Sequence, residues 1–84
     1  MTNTAAQPTL TAASLELFLA LANDAGNWGG TPLVEVTPAE RGNLTQIKRA
    51  GLLTTGEDDG CVFAWFTPAG VAFAGQHDVD LSWI

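Results

Sequence analysis

The chain has 84 residues, nine of them acidic and three basic, and its formal net charge is −6 at pH 7. This length gives one domain whose core is near the smallest that is stable alone. The negative charge opposes binding to nucleic acid or to an anionic membrane by the molecule as a whole. The single cysteine, Cys61, excludes an internal disulfide and a cysteine-based zinc site, and it favours a reducing, cytoplasmic location.

The sequence predicts a tail followed by one domain. Residues 1–9 are small and polar and are expected to form a disordered tail, and residues 10–84 are expected to form the domain. The beginning of the chain lacks the basic start and apolar run of a signal peptide, and no apolar stretch is long enough to cross a bilayer. We therefore expect no membrane partner.

The first predicted element is a helix from about Thr11, which suits the N-cap, to Asn23. Gly26 is suited to the left-handed turn that often follows a helix. Pro32 and its β-branched neighbours then favour a short strand over residues 31–36. The apolar stripe of the helix consists of Leu15, Phe18, Leu19 and Ala22.

A second helix has the clearest local signal in the sequence. Thr37 suits its N-cap, Pro38 its first position, and Glu40 completes a capping box. The helix is predicted to end near Ala50, with Gly51 closing it. Its exposed side carries all three basic residues of the chain, within nine consecutive positions.

The last third of the chain is predicted to form a hairpin, a helix and a strand. The hairpin joins residues 52–55 to residues 61–66 through a turn at 56–60. Its second arm is apolar on both faces, so one face needs a cover from the chain's tail or from a partner. A short helix is expected over 67–74, and the alternating tail at 78–84 predicts a half-buried strand.

Two segments carry a resemblance to a known fold. The stretch Ile47–Leu53, then a hairpin, then Phe66–Gly70 resembles the winged helix-turn-helix of MarR-like and PadR-like regulators. The resemblance implies an α+β winged-helix-like domain. Its elements would be a helix, a short strand, a capped helix, a hairpin wing, a short C-terminal helix and a tail strand. It also implies a transcriptional regulator that reads double-stranded DNA with the helix at 37–50.

The candidate DNA-binding residues lie on that second helix. They are Arg41, Asn43, Thr45, Gln46, Lys48 and Arg49. The alternative for this helix is a solvated surface in which Lys48 and Arg49 only complement the negative end of the helix dipole.

The acidic hairpin favours a second hypothesis. Wings of DNA-binding proteins usually present basic residues, whereas this one presents acids, which suits a protein-interaction module such as an adaptor or inhibitor. The small size of the chain would suit a protein encoded by a phage or mobile element. A homodimer through the tail or the outer hairpin face is a further expectation. The candidate partner-binding residues are Glu57, Asp58, Asp59, Trp83 and Ile84.

Other side chains give no sign of catalysis or of a cofactor. The acidic turn lacks the ligand spacing of a calcium loop, and His77 has no second histidine or thiol near it. Cys61 is expected to be a buried small hydrophobe. The tryptophans are expected to lie mostly in the core, with Trp83 and Ile84 the most exposed apolar residues of the tail. We expect no enzyme.

Overall fold

The computed structural model describes residues 10–84, and the tail predicted at residues 1–9 lies outside the described residues. The described part is an α+β unit of three helices and one antiparallel hairpin, as the sequence predicts. In chain order its elements are α1 (Ala12–Asp24), α2 (Arg41–Arg49), β1 (Leu53–Asp58), β2 (Cys61–Phe66) and α3 (Pro68–Gln76). Within residues 10–84, no helix is long and apolar enough to cross a membrane.

The core forms around α1, whose predicted start and length are confirmed. Of its predicted apolar stripe, Phe18 and Ala22 are buried, whereas Leu15 and Leu19 are half-buried and Leu21 lies on the buried face instead. Thr11 caps the helix, accepting a hydrogen bond at Oγ1 from the Ser14 N–H at 3.2 Å. Phe18 is fully buried and meets the rings of Phe66 and Phe73 edge to face, at centroid distances of 5.7 and 5.3 Å. Helix, hairpin and α3 therefore join at one aromatic cluster. The other fully or nearly fully buried apolar side chains include Ala22, Ile47, Leu52, Leu53 and Leu81.

The end of α1 differs from the prediction, because Gly26 does not form the left-handed turn. The chain continues through a 3₁₀ turn at Ala25–Trp28, and Gly29 takes the left-handed conformation, with φ 64°. The Asp24 carboxylate stabilises this extra turn. It accepts hydrogen bonds from Asn27 Nδ2 at 2.9 Å and from Trp28 Nε1 at 2.8 Å.

The strand predicted at 31–36 is reduced to a single bridge between Leu33 and Phe63 of β2. The Val34 N–H donates to the Val62 carbonyl at 2.8 Å, and the Pro32 carbonyl accepts from the Ala64 N–H at 3.0 Å. Pro32 has no N–H to donate to the Ala64 carbonyl, so the ladder cannot continue on that side of the bridge. The segment nonetheless lies along the free edge of β2.

The start and stop signals of the second helix are confirmed. The Thr37 N–H donates to Glu40 Oε1 at 3.0 Å, which is one half of the capping box. The first turn, Pro38–Glu40, is 3₁₀ rather than α. The helix ends where Gly51 takes the left-handed conformation, with φ 78°.

The hairpin turn is shorter than predicted. Only Asp59 and Gly60 form it, with φ 55° and 81°, as in the two-residue turn whose twist matches that of antiparallel strands. Gly56 pairs with Phe63, and the next two residues, both acidic, pair with Val62 and Cys61. The prediction of a five-residue turn at 56–60 is therefore wrong.

The predicted tail strand is also wrong, whereas the helix before it is confirmed. After α3, Asp78 turns the chain with φ 65°, and the Val79 N–H bonds back to the Ala74 carbonyl at 2.9 Å. Asp80 then accepts hydrogen bonds from Ser82, at its carboxylate, and from the Trp83 indole, at its carbonyl. These local bonds coil the tail, so its alternating pattern buries Leu81 without forming a strand.

Candidate functional site

The three basic residues lie with one threonine on an exposed face of α2, hereafter the basic face: Arg41, Thr45, Lys48 and Arg49. All four are exposed. Because residues three and four apart are neighbours on a helix, their side chains lie together. Thr45 donates its hydroxyl to the Arg41 carbonyl at 3.0 Å, so it stays close to the helix backbone.

Three acidic side chains of the described residues accept hydrogen bonds, and none of these bonds comes from the cations of the basic face. The hydrogen-bonded carboxylates are Asp24, Glu40 and Asp80, and each accepts from uncharged groups. The three cations thus lie together on one helix, and these three carboxylates use their hydrogen bonds elsewhere. Lys48 and Arg49 also lie in the last turn of α2, where they complement the helix dipole.

Asn43 and Gln46 lie apart from the basic face, on the side of α2 that packs against α1. Gln46 Oε1 accepts a hydrogen bond from the Thr11 N–H at 2.8 Å. Asn43 Oδ1 accepts from the hydroxyl of Ser14 at 3.3 Å, and that serine is fully buried. Both amide oxygens therefore connect the two helices, and of the six predicted DNA-contacting residues the structure groups only four. In the sequence, the position of Ser14 beside the apolar stripe of α1 could have indicated that α1 needs a polar partner there, as Asn43 provides.

The acids at 57–59 form the exposed tip of the hairpin. Glu57 and Asp58 are the last residues of β1, and Asp59 is the first residue of the turn. All three side chains are exposed. The tip is therefore a surface of negative charge on a different element from the basic face.

The last two residues are exposed, as predicted. Trp83 is 53% and Ile84 is 51% exposed. Trp83 donates its indole N–H to the Asp80 carbonyl at 3.0 Å. Ile84 lies over Gly30, where a Cβ would be 3.3 Å from its Cγ1 atom. The terminus is thus held in place while presenting apolar surface.

The outer face of the hairpin corrects the prediction that the tryptophans and Cys61 are buried. Trp28 is 43% and Trp65 is 45% exposed, and Cys61 is exposed as well. Strand alternation explains this, because Ala64 faces the core and its neighbours Phe63 and Trp65 face away from it. The tail of the chain does not cover this face. Its contacts are with Gly30 and with α1 and α3 instead.

No metal-binding arrangement is evident in the described part of the chain. Within residues 10–84 no three side chains of His, Cys, Asp or Glu lie close enough to hold an ion. The ring of His77 packs against that of Phe73, with centroids 4.8 Å apart.

Comparisons with protein-family models, with curated proteins and with solved structures find no significant match. The basic face, the acidic tip and the exposed apolar residues are therefore the features from which a function can be inferred.

Proposed function

We propose that this protein is a small winged-helix DNA-binding protein, of the kind that regulates transcription, and that the basic face of α2 contacts the duplex. The observation that carries the proposal is the segregation of charge. Every lysine and arginine of the chain lies on this one exposed face, in a molecule that is strongly acidic elsewhere. A cluster of arginine and lysine on one helix is the footprint expected for phosphate contacts.

The order of the elements supports the same proposal. A helix, a segment paired at Leu33, a capped helix, a hairpin and a further helix follow one another as in the winged helix-turn-helix. In that arrangement α2 would be the reading helix. Asn43 and Gln46 would position α2 against α1, rather than contact bases, because their oxygens are engaged there.

The number of cations limits the strength of binding. Three phosphate contacts give a dependence of log K on log salt with a slope of about −3 per chain. Two chains on one duplex would roughly double it. We therefore expect binding that is readily measured at low salt and weak at physiological salt unless two copies bind together.

The test is fluorescence anisotropy with labelled duplex DNA of mixed sequence, titrated at low and at physiological salt. The double variant Arg41→Ala/Lys48→Ala is expected to abolish binding. The matched control is Glu57→Gln/Asp58→Asn, which changes the net charge by the same amount in the opposite direction and leaves the basic face intact.

Three outcomes distinguish the explanations. Salt-dependent binding that only the Arg41/Lys48 variant abolishes supports the proposal. Binding that follows net charge in both variants, by equal and opposite amounts, would indicate a non-specific field effect. The absence of binding at low salt would overturn the proposal.

A second candidate is an acidic protein-interaction module, an adaptor or inhibitor. The exposed acids of the hairpin tip and the exposed Trp83 and Ile84 favour it. Under this function Arg41→Ala/Lys48→Ala would leave partner binding intact. The role of the tail is tested with Trp83→Ser/Ile84→Ser. A deletion of residues 79–84 is less suitable because it would also remove the buried Leu81. If the tail joins two copies, this variant lowers the mass measured by light scattering.

A further inference from the structure

The hairpin carries an aromatic platform on the side that faces away from the core. Phe63 and Trp65 project from this side of β2, and Leu33 lies beside Phe63 through its bridge. The ring of Trp28 packs edge to face on Phe63, with centroids 6.1 Å apart. We call these four residues, Trp28, Leu33, Phe63 and Trp65, the outer sheet face. None of them belongs to the buried core cluster.

Two contacts fix the tryptophans of this face without burying them. The indole N–H of Trp28 donates to Asp24 at 2.8 Å, which sets the direction of the ring. The ring of Trp65 lies on Gly56, so closely that a Cβ there would be 2.7 Å from Cζ3. Gly56 does not take a positive φ. Residue 56 is therefore a glycine because the indole of Trp65 occupies the space of a side chain, and not because the backbone needs a left-handed conformation.

The position of the Trp65 ring brings it to the open edge of the hairpin. β1 pairs with β2 on one side only, so its other edge carries unpaired backbone groups in the described structure. Such an edge accepts an added strand, whose alternate side chains would lie on the outer sheet face. Because the ring lies over Gly56 of β1, those side chains would meet it directly.

The charge around the platform is negative. Asp58 pairs with Cys61, which puts it on the outer side with Phe63, and Asp24 is bonded to Trp28. The hairpin has no lysine or arginine, and the chain's cations lie on α2. Edge-to-edge pairing of two copies would join two hairpins that each carry three exposed acids and no basic residue. This charge opposes a homodimer and complements a basic partner.

We propose that the outer sheet face and the β1 edge bind an extended segment of another protein in which basic residues alternate with apolar ones. The apolar side chains would contact Trp65, whose ring lies over Gly56 of β1. The alternate, basic side chains would point to the opposite side of the sheet, where Glu57 lies near the hairpin tip. This proposal is independent of DNA binding by α2, because it uses a different element and the opposite charge.

The test is selection of displayed random twelve-residue peptides on the full chain, followed by affinity measurement of synthetic copies of the enriched peptides. The enriched peptides are expected to combine lysine or arginine with apolar residues. Trp65→Ala is expected to weaken their binding tenfold or more, as aromatic anchors of interfaces do. Gly56→Ala, which displaces the ring without removing it, is expected to weaken binding by a smaller factor.

Trp83→Ala removes an equally exposed tryptophan elsewhere and is expected to leave peptide binding unchanged, as is Arg41→Ala/Lys48→Ala. Hydrogen exchange should show slower amides in β1 when the peptide is bound. The proposal is overturned if the selection enriches no peptide, or if the enriched peptides are acidic. It is overturned as well if Trp65→Ala binds the enriched peptides as tightly as the unmodified protein does. Two other occupants of this face are a second copy of the chain and single-stranded DNA, for which an oligothymidine is the probe. The proposal is also overturned if Trp65→Ala dissociates a dimer or abolishes binding of the oligothymidine. Circular dichroism verifies that each variant is folded.

Discussion

Gly70 in α3 and Leu52 before β1 are in direct backbone contact. A Cβ at residue 70 would overlap the carbonyl oxygen of Leu52 and lie 2.9 Å from its carbonyl carbon. The same oxygen accepts a hydrogen bond from the Thr67 N–H at 3.1 Å. Thr67 Oγ1 donates to the Gly51 carbonyl at 2.6 Å and accepts from the Gly70 N–H at 3.0 Å. The spacing of threonine and glycine thus fastens the start of α3 to the end of α2.

Gly70→Ala is expected to destabilise the fold by about 3 kcal/mol, because the new methyl group meets backbone that cannot move aside. Urea unfolding followed by circular dichroism measures the change. Gly75→Ala is the matched control in the same helix. Its Cβ would meet nothing within 4 Å, and we expect a gain of roughly 0.5–1 kcal/mol. Equal effects of the two substitutions would contradict the close contact.

Thr67→Val is expected to destabilise the fold by about 1–2 kcal/mol, since it removes the N-cap and the bond to Gly51 at once. Thr67→Ser keeps both bonds and should recover most of the stability. Thermal unfolding compares the two, and a shift of roughly 4–8 °C per kcal/mol is expected for a domain of this size. A valine variant as stable as the serine variant would show that the hydroxyl does not contribute.

The hydrogen bond between Ser14 and Asn43 predicts an energetic coupling between α1 and α2. Ser14→Ala and Asn43→Ala are each expected to destabilise by about 1 kcal/mol, and the double variant by less than their sum. Urea unfolding of the four proteins gives the coupling. Additive effects would contradict the interhelical bond. Loss of DNA affinity in Asn43→Ala without loss of stability would restore that residue to the DNA-contacting set.

The pKa of the Asp80 carboxyl is lowered below its ordinary value of 3.8 by hydrogen bonds from the hydroxyl and the N–H of Ser82. A lowered pKa in the folded state means that this carboxylate contributes stability above the unfolded value. The contribution is lost as pH falls through the folded value. NMR titration of Asp80 should show the lowered midpoint, and Ser82→Ala should raise it. An unchanged midpoint in that variant would show that Ser82 is not the cause.

The sequence by itself determined the parts of this protein that local chemistry controls. Thr11, Thr37 and Thr67 mark the starts of the three helical segments because each precedes residues that favour a helix. Gly51 marks the end of α2 because it takes the left-handed conformation easily. The exposure of the basic cluster also followed from helical spacing, which is a property of neighbouring residues.

Only the tertiary structure decided where the remaining polar and aromatic groups face. Asn43 and Gln46 bind α1 because packing brings Ser14 and Thr11 to them, and these partners are 29 and 35 residues away in the chain. Trp65 is exposed because β2 has one face on the core and no second layer over the other among the described residues. The tail resembles a strand in its alternation, but pairing also requires a free edge within reach. Instead, Asp78 turns the chain back toward α3. Contacts between residues distant in the chain have no signature in local spacing, so they emerge only when the elements pack.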